Sequence, residues 1–439
     1  MSKETTNQFK SLLSFKNIFM VVNFVVLFAT FFSIHSLSQL SHLIPIIFSV
    51  VFILLSVVYV FIFGKFHFDF TIVSLIFFLL FAVVITILIS RDFNSLQTYL
   101  TVIGLSFFIY QFIFNVKKID IILVLYICSL LLFLAIFLFH YVMTKEIFSY
   151  FKNPSNVRLG YYFDNPNAIG NSFLTGIVAA FAYSILKKKY AFTICTVVLF
   201  SIVIFMTGSR MAIIGTVLSV LSYIHILFFK KRKLICFIID GVFLGLVILI
   251  LSLPIFSDLR GRLVGIITFS TGTKVERSAE GRFSMLITGI QFWSKYLFTG
   301  MGAGGFAYVS SHAGYSHATI SEILCDFGII GFVSFFVPQF YCCFSSRCET
   351  KSRQLFLLYL FGFVAIGMVG TVLLSRKCMY ILLVILYAFH SIQNESYNTS
   401  LNLSFFKERK FSISFNYKNG TGVQAVKSNI SQIREICDE

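Results

Sequence analysis

Apolar residues fill this chain in blocks of about twenty, divided by short polar links, which is the length a helix needs to cross ~30 Å of hydrocarbon. The blocks predict about twelve membrane-spanning helices. They run over Ile18–Leu37, Ser41–Phe63, Phe70–Ile89, Leu96–Phe114, Ile119–Val142, Ala168–Leu186, Ala191–Thr207, Met211–Phe229, Leu234–Leu253, Thr319–Phe344, Leu355–Leu374 and Cys378–Ser391. The expected fold class is therefore an all-α polytopic membrane protein. Its transmembrane domain covers 1–392, and 393–439 form a polar tail. Met1–Lys16 is polar and basic, and no small-residue cleavage site follows the first apolar run, so that run reads as an uncleaved span.

Composition agrees: 58% of the 439 residues are hydrophobic, 12% are charged, and 57 are Phe against a single Trp. No soluble core absorbs that much apolar surface. The nine cysteines lie mostly inside apolar runs and form no C-x-x-C pair, so they read as packing residues rather than as a disulfide framework or zinc site. The formal charge of +17 sits in short clusters between apolar runs and not in a stripe, which argues for topology and against nucleic acid. Clusters at Lys65, Lys117–Lys118, Lys187–Lys189, Lys230–Lys233 and Arg347–Arg353 share one side with both termini, and that side reads as cytoplasmic.

Two connections on the opposite, outer side are long, 143–167 and 254–318, and loops of that length are usually functional or disordered. Arginine dominates the bases of this side: Arg91, Arg158, Arg210, Arg260, Arg262, Arg277, Arg282 and Arg376. Orientation alone needs only charge. A planar guanidinium fork suits a surface that holds an anion such as a lipid diphosphate. Arg210 lies in the very short turn Thr207–Arg210, Arg158 precedes Asp164-Asn165-Pro166-Asn167, and Arg282 opens an amphipathic stretch containing Trp293.

Chemistry concentrates between Gly300 and Gly331, where glycines, two histidines and a carboxylate meet the start of an apolar run. His317 lies just ahead of the tenth span, with His312 five residues earlier. Two readings of His317 stay open, a general base for an attacking hydroxyl and a hydrogen-bonding residue at the lipid boundary. Thr319-x-x-Glu322 has the form of a capping box, so Glu322 reads first as a helix cap. Gly300, Gly302, Gly304 and Gly305 have no strand before them and no Lys-Ser/Thr after them, so they read as turn formers and not as a phosphate loop. Gly328-x-x-Gly331 reads as a close-packing site within the span. Ionisable residues and helix breaks at the midplane would mark a transporter, and the spans show almost no charge beyond Asp240 and Asp326.

These features resemble the O-antigen polymerase and O-antigen ligase family. The resemblance rests on His317, Glu322 and Gly328-Ile329-Ile330-Gly331, on Arg282 ahead of Gly300-Met301-Gly302, on the Ser209-Arg210 turn, and on Arg158 before Asn165-Pro166-Asn167. The chain departs from the family pattern at Ala318, where Asn is common after the His. The resemblance implies a helical GT-C-like fold, located in the bacterial cytoplasmic membrane, and metal-independent glycosyl transfer on its outer face from a polyprenyl-diphosphate-linked oligosaccharide. Arg210 and Arg282 would hold the diphosphate, Arg158 would assist, and His317 would activate the acceptor hydroxyl, with Glu322 and His312 in support. No cofactor is implied. The implied partners are the lipid-linked glycan, membrane lipid and assembly proteins such as a flippase and a chain-length regulator. A polymerase is the expected activity, a ligase the nearest alternative, and a lipid-linked glycan flippase or transporter the alternative from another class.

Overall fold

The computed structural model describes residues 15–36, 43–90, 92–152, 159–228, 233–252, 277–306, 318–344, 350–364 and 377–411. Fourteen helices are found among them. In chain order they are α1 (Phe15–Ser36), α2 (Leu43–Phe63), α3 (Phe70–Ile85), α4 (Phe93–Val116), α5 (Ile119–Met143), α6 (Glu146–Lys152) and α7 (Pro166–Lys187). Then follow α8 (Tyr190–Thr207), α9 (Arg210–Phe228), α10 (Lys233–Ser252), α11 (Arg277–Lys295), α12 (Thr319–Phe344), α13 (Thr350–Tyr359) and α14 (Lys377–Phe411). A π turn, Thr86–Ser90, extends α3, and another, Leu360–Val364, extends α13.

Nine of the described helices are long and apolar enough to cross a membrane: α1 to α5, α7 to α9 and α12. The chain is thus a multi-pass, all-α membrane protein. The remaining expected spans fall on α10, on α13 with its π turn, and on the first part of α14, while residues 365–374 of the eleventh lie outside the described residues. Residues up to Gln393 form one compact unit and those from Asn394 onward a second.

Within the first unit, α7 is enclosed by α5, α8 and α9, and it is buried along most of its length. Lipid tails are as apolar as the side chains, so burial alone cannot drive these helices together. Packing and interhelical hydrogen bonds must do so. Phe133 of α5 stacks on Phe173 of α7 at 5.5 Å, and the Tyr126 and Thr175 hydroxyls bond across the same pair at 2.6 Å. The Ser184 and Tyr223 hydroxyls link α7 to α9 at 2.6 Å. Both long connections hold helices of their own, α6 in one and α11 in the other, and α11 covers the amphipathic stretch expected near Arg282.

The structure corrects the reading of the tenth span. It begins at Thr319 and ends at Phe344 as expected, but Gly328 interrupts it with φ 60° and ψ −161°. α12 is therefore two helical segments, Thr319–Phe327 and Ile329–Phe344. Gly328 breaks the span rather than serving only to pack it; Gly331 does lie close to a neighbour, with Phe78 of α3 beside it.

Candidate active site

Breaking a helix inside a membrane frees backbone groups that lipid cannot satisfy. Here the chain satisfies them itself. After α11 it turns at Tyr296–Gly300 and lays its backbone into the break. The Ile329 amide donates to the Leu297 carbonyl at 2.9 Å, and the Ile330 amide to that of Phe298 at 3.3 Å. On the other side of the break, the Met301 and Gly302 amides donate to the Cys325 and Asp326 carbonyls at 2.9 and 2.7 Å. The single Trp secures the approach: Trp293 Nε1 donates to the Leu297 carbonyl at 3.1 Å.

Asp326 completes this docking. Its carboxylate is buried and accepts from the Gly304 and Phe306 amides, each at 3.3 Å. The π turn after α3 forms the opposite wall, where Thr86 Oγ1 accepts from the Ala303 amide at 3.0 Å. Gly300–Phe306 is thus clamped between α3 and α12. Glu322 is buried on the segment above the break, and together with Asp326 and Asp92 it acts electrostatically on the buried Tyr99 of α4.

His312, His317 and Arg158 lie outside the described residues. The described residues on either side of 307–317 are both fixed. Phe306 is fully buried and held by Asp326, while Ala318 is buried and its carbonyl accepts the Glu322 amide at 3.0 Å. Arg282 lies on α11, which packs along α12; Gly289 of α11 faces Ser321 of α12.

A second group of elements gathers at Arg210. Gly208 terminates α8, and Arg210, half-buried, opens α9. Ser209 between them is buried, and its Oγ has no hydrogen-bond partner. Gly170 of α7 lies directly against Ser209 and Ala212, so α7 and α9 approach closely just below the turn. The segment before α7 reaches the same place. The Leu159 amide donates to the Met206 carbonyl at 3.2 Å, and the Gly160 amide donates to the Tyr141 hydroxyl at 2.7 Å. Asn165 caps α7 by accepting from the Asn167 amide at 2.9 Å, with Pro166 in the first helical position. The Asn165-Pro166-Asn167 motif is thus a helix start.

With this geometry in place, a comparison of the chain with known families is informative: a family model described as O-antigen ligase matches residues 195–336. Over these residues the chain is similar to the O-antigen ligase family. The matched region runs from α8 through α9, α10 and α11 to the break in α12 and the first turns beyond it, so it includes Arg210, Arg282, Glu322 and the docked glycine loop. Arg158 precedes it. The match supports an O-antigen ligase and polymerase type of glycan transferase over this region. No curated protein matches the chain. Among the described residues, no group of three or more His, Cys, Asp or Glu is arranged to hold a metal ion.

In the sequence Asp326 stands only as one of two charges within the spans, and Ser209 only as part of the Arg210 turn. An Asp in an apolar span, two residues before a glycine, is the signal that would have located the docking point.

Proposed function

We propose that the protein is a polysaccharide polymerase. It joins polyprenyl-diphosphate-linked repeat units on the outer face of the cytoplasmic membrane, without a metal. In the transfer, the acceptor hydroxyl oxygen attacks the anomeric carbon of the donor sugar and His317 takes the hydroxyl proton. The bond from that carbon to the diphosphate breaks, and polyprenyl diphosphate leaves with the electron pair. Arg210, Arg282 and Arg158 stabilise the charge developing on the leaving group, a task suited to fixed guanidinium groups in a site of low dielectric. Glu322 and His312 support the loop. The helical arrangement is of GT-C type, and both termini are cytoplasmic.

The observation that carries this reading is the docking of Gly300–Phe306 into the broken span α12. That docking holds Phe306 on α12, Ala318 at the start of α12 is buried, and the region matched to the family also carries the Arg210 turn. A docked backbone beside a broken span suits a site that must hold reacting groups in place, and His317 is the proposed base there. The test is His317→Ala in cells: long polymer should disappear and single-repeat product accumulate, whereas an unchanged chain-length distribution removes His317 from the chemistry.

The family description favours a second reading, transfer of a finished glycan to a lipid, protein or wall acceptor. A deletion strain separates the two. A ligase mutant still makes long polymer and retains it on the lipid carrier, while a polymerase mutant makes none.

A further inference from the structure

Two tyrosines stand out from the turn that precedes α7. Phe163 of that turn is buried, with the rings of Phe133 and Phe137 of α5 at 5.6 and 5.8 Å, so the turn already has its apolar anchor. Tyr161 and Tyr162 beside it are left 65% and 52% exposed. The backbone that carries them is held at several points. The Gly160 amide donates to the Tyr141 hydroxyl at 2.7 Å and the Leu159 amide to the Met206 carbonyl at 3.2 Å. The Phe163 and Asp164 amides donate to the Gly160 carbonyl at 2.9 and 3.0 Å. Tyr162 is also backed by a second ring: His140 of α5 lies flat against it, with centroids 3.8 Å and planes 20° apart, and Phe163 meets it edge-on at 5.0 Å. With one face covered, the exposed half of Tyr162 is the opposite face.

Along α5, Ile119 to His140 is about 32 Å at the helical rise, against ~30 Å of hydrocarbon. The stack therefore stands at the hydrocarbon boundary, at the end of the bundle away from Lys117 and Lys118. Tyrosines at that level commonly anchor a chain among lipid headgroups. An anchor needs an amphipathic ring, but it does not need one backed by imidazole on a turn tied down at both ends. Polar groups also follow directly in the chain, the partly exposed Asp164 and the exposed Asn165. A lipid chain gains nothing from such a rim. A pyranose ring uses both parts, laying its C–H face on the flat aromatic ring and turning its hydroxyls to the polar rim.

We infer that the exposed face of Tyr162 is a saccharide platform, on which a pyranose ring of the glycan stacks, with Tyr161 offering a second ring one residue away. The inference rests on the proposed reading that the substrate is a lipid-linked glycan handled at this end of the bundle. The sugars nearest a lipid carrier lie at the level of the stack. The bond from Leu159 to Met206 sets the platform beside the end of α8 that leads into the Arg210 turn.

The test uses the full-length protein in phospholipid nanodiscs and, as probe, the oligosaccharide repeat released from the cell's own polymer, free of lipid and diphosphate. Saturation-transfer NMR should show the strongest transfer to C–H protons on one face of one sugar ring. Tyr162→Leu keeps apolar bulk but loses the flat face, and transfer should fall about fivefold to tenfold, the loss of one aromatic stack. Tyr162→Trp keeps a flat face and should retain it. Melting temperatures of both should stay near wild type. No transfer in the wild type, or equal transfer in the wild type and Tyr162→Leu, overturns the platform and leaves Tyr162 a headgroup anchor. Turnover of the lipid-linked repeat is measured in parallel, and KM in Tyr162→Leu should rise by a similar factor while kcat changes less. Turnover with KM and transfer both unchanged in Tyr162→Leu sinks the platform and keeps the glycan-transfer reading. Transfer lost in Tyr162→Leu, from a wild-type preparation that turns nothing over, keeps the platform and sinks that reading.

Discussion

Gly328 and Phe298 meet backbone to backbone: a Cβ placed on Gly328 would lie 2.3 Å from the Phe298 carbonyl oxygen. Gly300 meets Asp326 in the same way, with 2.3 Å from its would-be Cβ to the Asp326 carbonyl carbon. Both glycines also hold positive φ, 60° and 67°. Neither neighbour is a side chain that can swing aside. Gly328→Ala and Gly300→Ala should each cost about 1–3 kcal/mol from backbone strain, with the clash added to it. Thermal unfolding of purified protein checks this, with Gly241→Ala as control, since nothing lies within 4 Å of a Cβ there. Equal melting temperatures for all three variants would mean that the loop is not docked in the break.

Asp326→Ala should leave the Gly304 and Phe306 amides buried without an acceptor, at about 1–3 kcal/mol each at most. Asp326→Asn retains one acceptor oxygen and should lose less. If Asp326 acts by anchoring the loop, kcat should fall more than donor affinity does, and Asn should recover part of it. Identical behaviour of Ala and Asn would remove the carboxylate from that role.

The spans were legible because their length is set by the bilayer and their composition by lipid. The expected limits Thr319–Phe344 are those observed, and Ala191–Thr207 differs from α8 by one residue. The turn at Arg210 was legible for the same reason, being the minimal link between two apolar blocks. What escaped was tertiary. A glycine in an apolar run signals close packing or a break equally well, and the partner that decides for a break, Phe298, lies thirty residues away. Few midplane charges tell against a transporter only where the spans are also unbroken, and α12 is broken. Its freed amides and carbonyls are occupied by the chain's own backbone, however, and are not offered to an ion.

His225 of α9 and Asp240 of α10 pair at 2.6 Å within otherwise apolar helices. Removing one member strands the other in a region poor in water, so each single change to Leu should be destabilising. The double change should be milder than the sum of the two, with a coupling of roughly 0.5–3 kcal/mol in a double-mutant cycle. Strict additivity would show that the pair does not hold α10 to α9.

Arg210→Lys keeps the charge but loses the planar fork. If Arg210 holds a diphosphate bidentately, Lys should restore only a minor part of the activity lost in Arg210→Ala, and unfolding temperatures of both should stay near wild type. Full rescue by Lys would reduce Arg210 to an interfacial charge.

The most direct measurement is the product-length distribution made by purified protein from polyprenyl-diphosphate-linked repeat units alone, with a chelator present. The account predicts a ladder of glycans at integer multiples of the repeat, with free polyprenyl diphosphate released at each addition and none of it formed by His317→Ala. Single-repeat material left unextended by an active preparation, or transfer only to an acceptor that is not lipid-diphosphate-linked, would contradict it.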